Sequence, residues 1–325
     1  GENYEAENIV IATGQHSNEL NIEGKEFTKN SRDFLSLESM PNSITFIGLG
    51  IISIEFASIA VKAGVETHMI HVDDQPLRGF YSAHVEKLMD KLKEEGVHFH
   101  MSENVVAVKE NGTNYDVVTQ SGLTIQSDYV LDATGRMPNV EGIGLEEVGI
   151  EYSKFGVKVD EYLRTNVPNI YASGDVIEKM IPKLTPTATF ESNYIAAHIL
   201  KMNEMPIQYP AIPSVLYSLP RLSNIGVGIE EAKNNDEYKV IDIPFGKRMV
   251  FEYKNETEAE MTIVLDSEKR LVGAAIYGDD APDLINLLTF IVNQKLTARD
   301  LNQMIFAFPG SSSGVLDQLK LAMML

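Results

Sequence analysis

Residues 8–14, Asn-Ile-Val-Ile-Ala-Thr-Gly, are an apolar run ending in glycine, which predicts a strand buried on both faces that enters a tight turn. A second run, Ile44 to Gly48, predicts another strand of this kind. Beyond it Ile52, Phe56, Ile59, Ala60 and Ala63 recur at helical spacing, and Gly64 stands where that helix would stop. Positions 67–72 predict a further strand. Ser82 can cap a helix whose inner face is Val85, Leu88, Met89 and Leu92, with Gly96 ending it and a strand following from Val97 to Met101. Strands alternating with helices predict parallel pairing in a doubly wound sheet.

The pattern changes between Asn104 and Leu131, where short alternating strands flank Asn111-Gly112 and Ser121-Gly122 turns, as in an antiparallel flap inserted in an α/β domain. Residues Tyr129 to Gly135 then repeat the pattern of residues 8–14, since both runs end in Ala-Thr-Gly. The Pro-bearing stretch from Met205 to Pro213 predicts a linker. After it come strand candidates at 214–218, 238–243, 261–265 and 271–277, then a helix from about 282 with Leu284, Leu287, Leu288 and Ile291 on one face. Thr297, three residues before Asp300, is a variant capping box that predicts another helix. Strands followed by helices predict a separate α+β domain.

The chain has 325 residues, 44% of them hydrophobic, which predicts two or three domains at roughly 150 residues each and excludes a disordered chain. Twenty-seven Lys and Arg against 47 Asp and Glu give a net charge of −20. Such a surface repels phosphate backbones and anionic lipid heads, so neither nucleic acid nor membrane is an expected partner. The absence of Cys excludes disulfides, Cys-ligated zinc, iron–sulfur clusters and thiol chemistry by this chain itself. No apolar run reaches the roughly eighteen residues that span a bilayer. The first residues are acidic rather than a basic leader, and a cytoplasmic location is expected. His98 and His100 share a strand face near His68 and His71, but a metal needs converging ligands, and no metal site is expected.

Gly48-Leu49-Gly50-Ile51-Ile52-Ser53, between a predicted strand and helix and followed by Glu55, has the spacing of a dinucleotide turn. The first Gly makes the turn, the second lets the backbone approach a pyrophosphate, and a small third residue permits close helix packing. The unpaired amides and partial positive charge at the helix start then attract that anion, which matters in a protein this acidic.

Thr165 to Asp175, Thr-Asn-Val-Pro-Asn-Ile-Tyr-Ala-Ser-Gly-Asp, resembles the second flavin motif of the pyridine nucleotide-disulfide oxidoreductases, the group containing glutathione reductase and dihydrolipoamide dehydrogenase. The resemblance runs along the whole chain. Asn8 to Gly14 is similar to the strand closing the first flavin segment, and Asp128 to Glu147, with Gly135, to the exit from the nicotinamide domain. Leu184-Thr185-Pro186 is similar to the element opening a helix beneath the flavin, and Ala211 to Val215 and Leu271 to Leu301 to the dimerisation domain. The implied architecture is α/β: a Rossmann-like NAD(P)-binding domain, a partial FAD-binding domain and a C-terminal α+β dimerisation domain. Its boundaries are 1–32 for the end of the first FAD segment, 33–133 for the NAD(P) domain, 134–205 for the second FAD segment and 206–325 for dimerisation. The resemblance implies a homodimer and hydride transfer from NAD(P)H to FAD. It assigns Gly174, Asp175 and Thr185 to the flavin and places Glu55 near the nicotinamide as a catalytic candidate.

Three departures limit the resemblance. The family's first flavin segment, with its Gly-rich turn and redox Cys pair, has no counterpart before Gly1, so FAD is expected to bind this stretch weakly or not at all and the stretch alone to be inactive. Phe308 and Ser313 stand where the disulfide reductases carry a proton-handling His and its Glu partner. Phe cannot transfer a proton, which leaves quinone, oxygen or a thiol with another proton donor as acceptors. At the end of the second nicotinamide strand neither an acid near His71 nor an Arg near Val72 sits at the expected place; Asp73 and Asp74 would favour NAD, whereas His71 and Arg78 would favour NADP through charge, and both remain open. The alternative is a dinucleotide-binding and dimerising module without turnover.

Overall fold

The computed structural model describes residues 2–325. In chain order, β1 (Ile9–Ile11), β2 (Gln15–Ser17), α1 (Ser31–Leu35), β3 (Ser43–Ile47), α2 (Ile51–Lys62), β4 (Glu66–Ile70), α3 (Ser82–Glu94) and β5 (Val97–His100) come first. There follow β6 (Val105–Asn111), β7 (Asn114–Thr119), β8 (Thr124–Ser127), β9 (Tyr129–Asp132), β10 (Arg136–Pro138), β11 (Tyr152–Ser153), β12 (Gly156–Val157), β13 (Ile170–Ala172) and α4 (Thr185–Ile199). The last third holds β14 (Ser214–Leu216), β15 (Leu222–Gly226), α5 (Ile229–Lys233), β16 (Lys239–Ile243), α6 (Met249–Tyr253), β17 (Glu260–Leu265), β18 (Leu271–Tyr277), α7 (Ala281–Asn293), α8 (Ala298–Asn302) and α9 (Ser311–Met324). These elements form two compact units, residues 1–18 with 135–210, and residues 19–134 with 211–325.

In the first unit β1 pairs in parallel with β13, Ile9 opposite Ile170 and Ile11 opposite Ala172, and β2 pairs antiparallel with β10. The apolar run 8–14 breaks where Gly14 turns into left-handed backbone. Thr13 donates through Oγ1 to the Asn139 carbonyl, and Asn139 Nδ2 donates back to the Thr13 carbonyl. The core of this unit collects Ile11, Leu145, Val157, Leu163, Val176 and Ile195. Burying each large aliphatic side chain there contributes roughly 1.5–3 kcal/mol.

The second unit contains a four-stranded parallel sheet of order β5-β4-β3-β9. All five residues of central β3 are buried, as expected for a strand covered on both faces. Ile54, Phe56, Ala57 and Ala60 of α2 and Val85, Leu88 and Leu92 of α3 pack in the core that includes Ile44 and Phe46. The flap is an antiparallel meander of order β6-β7-β8. A five-stranded antiparallel sheet of order β14-β15-β18-β17-β16 carries α7 and α9 over a second core, including Phe245, Phe251, Leu284, Leu288 and Leu319. Residues 19–32 belong to this unit: Leu20 donates its amide to the Asp132 carboxylate and Lys29 bridges to Leu131 of β9.

Several local expectations are met, among them the capping box, in which Thr297 accepts from the Asp300 amide and the Asp300 carboxylate accepts from the Thr297 amide. Others are corrected. Ser82 does not cap α3; Tyr81 holds that position without a side-chain bond, and the Ser82 hydroxyl donates to Glu230. Strand β15 was not predicted, because Leu222-Ser-Asn-Ile-Gly226 is too short and polar to stand out until β14 and β18 pair with it.

Candidate functional site

At the C-terminal end of the parallel sheet the turn from β3 to α2 is built from Gly48, Leu49 and Gly50. The Gly48 amide donates to Ile70 of β4 at 2.8 Å. Gly48 has φ +100°, and a Cβ there would lie 2.7 Å from the Ala133 carbonyl oxygen, so no larger residue fits. At Gly50, by contrast, a Cβ would meet nothing within 4 Å, the open space a pyrophosphate needs. Ser53, fully buried, accepts from the Gly50 amide at 3.0 Å and donates to the Gly50 carbonyl at 3.1 Å. The first amides of α2 have no intrahelical acceptor and face an anion site with the helix dipole behind them. These residues fit a dinucleotide pyrophosphate.

One turn along α2, Glu55 accepts the Tyr217 amide at 2.8 Å. Burial raises its pKa above the ordinary carboxylate value, and the Tyr217 amide opposes that shift. Just past β4, His71 Nδ1 accepts the Leu49 amide at 3.3 Å, and its Nε2 lies 3.0 Å from Asp73 Oδ1. Arg78 donates to Asp73 Oδ2 at 2.7 Å and the Gln75 amide to Oδ1 at 2.9 Å. Gly48, Gly50, Ser53, Glu55, His71 and Arg78 therefore share one unit and one end of its parallel sheet.

The first unit holds a cavity of about 350 Å³ lined by Ala12, Gly14, Gly174, Asp175, Thr185 and Ser192, among others. Pro186 follows Thr185 in the first turn of α4, where its missing amide costs nothing. The Asp175 carboxylate takes no hydrogen bond among the described residues, whereas the Lys183 ammonium donates to the Asp175 carbonyl at 2.9 Å. A free acidic acceptor and an uncapped helix start suit the hydroxyls and the developing anionic charge of a reduced flavin. Gly135 does not line this cavity; its carbonyl accepts the Asn18 amide at 3.0 Å.

The residues that anchor this cavity were not read from the sequence. Glu191 of α4, with no exposed side-chain surface, accepts the Gly174 amide at 2.7 Å, Lys179 Nζ at 2.6 Å and the Tyr209 hydroxyl at 2.9 Å. One carboxylate thus ties the Gly174-Asp175 turn to the helix that begins at Thr185. The available signal was spacing: Thr187, Glu191, Tyr194 and Ile195 form the buried stripe of α4, and an acid in such a stripe demands partners.

His68 and His100 face each other, Nδ1 to Nε2, at 3.2 Å, and the His98 ring stacks on His68. Among the described residues no group of three or more His, Cys, Asp or Glu is placed to hold a metal ion. No helix among them is long and apolar enough to cross a membrane. Phe308 is 74% exposed, while Ser313 is buried and donates to the Gly310 carbonyl.

A parallel sheet with a glycine turn, a cavity at Gly174-Asp175 and a five-stranded antiparallel sheet carrying helices make up the fold. Residues 1–192 match the family described as pyridine nucleotide-disulphide oxidoreductase, and residues 212–318 match its dimerisation domain. The chain belongs to this family. It is 32% identical over 315 residues to a glutathione reductase of Burkholderia cepacia, covering 95% of this chain and 69% of that protein. It is 35% identical over 314 residues to a dihydrolipoyl dehydrogenase of Bacillus subtilis, covering 94% and 66%. The chain therefore spans about two thirds of the length of these relatives. Among solved structures, LpdA from Mycobacterium tuberculosis superposes with a TM-score of 0.90 at 22% identity, covering 98% of this chain and 70% of that one. The HOCl-induced flavoprotein disulfide reductase RclA from Escherichia coli gives 0.88 at 23% identity, covering 97% and 73%. At such identities these two structures establish the fold alone.

Proposed function

We propose that this protein is an NAD(P)H-dependent FAD oxidoreductase that passes hydride from NAD(P)H to FAD and the electrons on to a further acceptor. The observation that carries the reading is the pairing, within one chain, of an open Gly48-to-Ser53 turn and a Gly174-Asp175 cavity. Residues 33–133, on whose sheet 19–32 pack, are assigned to the nicotinamide domain, 1–18 and 134–205 to the flavin domain and 206–325 to a homodimer contact. Gly48, Gly50 and Ser53 hold the pyrophosphate by backbone approach and helix dipole, and Glu55 orients the nicotinamide end. Asp175 accepts hydroxyls of FAD, and the amides at Thr185 take up negative charge. FAD, when bound, supplies a two-electron acceptor for hydride from the nicotinamide.

With Phe308 offering no proton, the acceptor classes open to the protein are a quinone, oxygen or a thiol with its own proton donor. The test uses full-length protein purified with FAD: NADH or NADPH is added anaerobically and flavin absorbance is followed, then acceptors are supplied. Bleaching by either nucleotide supports the reading; a protein that takes up no flavin, or whose flavin neither nucleotide bleaches, refutes it.

A further inference from the structure

Resting on the reading of the Gly48 turn as a nicotinamide-dinucleotide site, we infer that the end of β4 selects NADH over NADPH, with Asp73 as the acceptor for the 2′-hydroxyl and His71 and Arg78 as its clamps. The argument begins with the imidazole. Its Nδ1 accepts a backbone amide, that of Leu49, and its Nε2 lies 3.0 Å from Asp73 Oδ1. Both ring nitrogens of His71 are therefore engaged within the protein, and neither is turned to a 2′-phosphate. Arg78 is the cation at this strand end, and Asp73 already engages it at 2.7 Å.

A carboxylate accepts about four hydrogen bonds, two on each oxygen. Asp73 Oδ1 takes the Gln75 amide and lies 3.0 Å from His71 Nε2, and Oδ2 takes Arg78. One position on Oδ2 is left for a donor, which a ribose hydroxyl is and a phosphate is not. Asp73 and Asp74 against Arg78 leave the strand end with a net charge of −1, which repels a phosphate dianion. The Gln75 amide, ahead of the neighbouring His71 and Arg78, holds the Asp73 carboxyl below its ordinary pKa, which keeps it an acceptor. The Leu49–His71 bond joins the glycine turn to this strand end, two residues before Asp73.

The chain is titrated with NADH and, separately, with NADPH at moderate salt by calorimetry. NADH is expected to bind at least ten-fold tighter. In Asp73→Ser, which releases Arg78, the ratio of affinities is expected to move at least ten-fold toward NADPH. In Arg78→Gln, NADPH binding is expected to change less than two-fold. NADPH binding as tightly as NADH in the native chain, or a large loss of NADPH binding alone in Arg78→Gln, overturns the inference and leaves the dinucleotide reading standing. Binding of neither nucleotide overturns both.

Discussion

Replacing Glu191 with Gln removes one charge from a site where Glu191 is fully buried and its partner Lys179 is 7% exposed. The ammonium then lacks a counter-charge in a dry environment, and removing one partner of a buried pair costs about 3–5 kcal/mol. The amide group cannot repair this, because its NH₂ end must face either the Gly174 amide or the Lys179 ammonium, both of them donors. Unit stability is only about 5–15 kcal/mol, so a large share of it is lost. Hydrogen exchange read by mass spectrometry separates the two units. Amides of 170–199 are expected to exchange on the order of 10²-fold faster, the equivalent of about 3 kcal/mol, while those of β3 in the other unit stay unchanged. Lys179→Met should cost a similar amount, and the double variant should recover part of the sum, because neither partner is then left charged alone. A loss under about 1 kcal/mol in Glu191→Gln, or strict additivity of the two changes, would refute the account of a single carboxylate holding this turn.

Three other outcomes are expected. Burial, chiefly, with help from the Lys87 and Lys233 ammonium groups, holds buried His84 down to about 4, and its Nε2 has no hydrogen-bond partner among the described residues. An unfolded chain protonates this ring near its ordinary value, so the stability tied to its neutral form is complete above about pH 6.5 and is lost as pH falls toward 4, up to ~3 kcal/mol; in urea melts the native protein should lose up to that amount relative to His84→Phe across this range, and an unchanged difference would contradict it. Gly48→Ala places a Cβ 2.7 Å from the Ala133 carbonyl and is expected to abolish binding of both nucleotides, whereas retention of NADH affinity within two-fold would contradict the close approach. Exposed Phe290, Ile305, Phe308 and Leu321 lie on or beside the helices of the dimerisation domain, and Phe290→Asp is expected to raise the monomer fraction in light scattering; a wild-type chain that is already monomeric would remove the basis for this.

Much of the nicotinamide side was legible because its signals are local. The apolar run 44–47 before Gly48, the spacing of Gly48, Gly50 and Ser53, and the stripe of α3 each depend on residues within one turn or strand, where periodicity and glycine sterics act directly. The cap of α3 was not legible. Ser82 satisfies the local rule, yet its hydroxyl bonds to Glu230, 148 positions away, and such a competing partner leaves no mark near Ser82. Strand β15 likewise has weak local propensity and exists through pairing with β14 and β18.

The amino-acid order by itself determined the class of sheet and the strand-glycine-helix turn at Gly48, which follow from side-chain type and short spacing, while its resemblance to the family pointed to the Gly174-Asp175 turn and to Phe308 at the place of a His. Only the tertiary structure decided that His71, Asp73 and Arg78 form one clamp, that Glu55 meets the Tyr217 amide, and that Glu191 joins Lys179, Tyr209 and Gly174. The physical reason is that a buried or shared charge is defined by its partners, and folding brings those partners from distant positions to within 3 Å or so of one another.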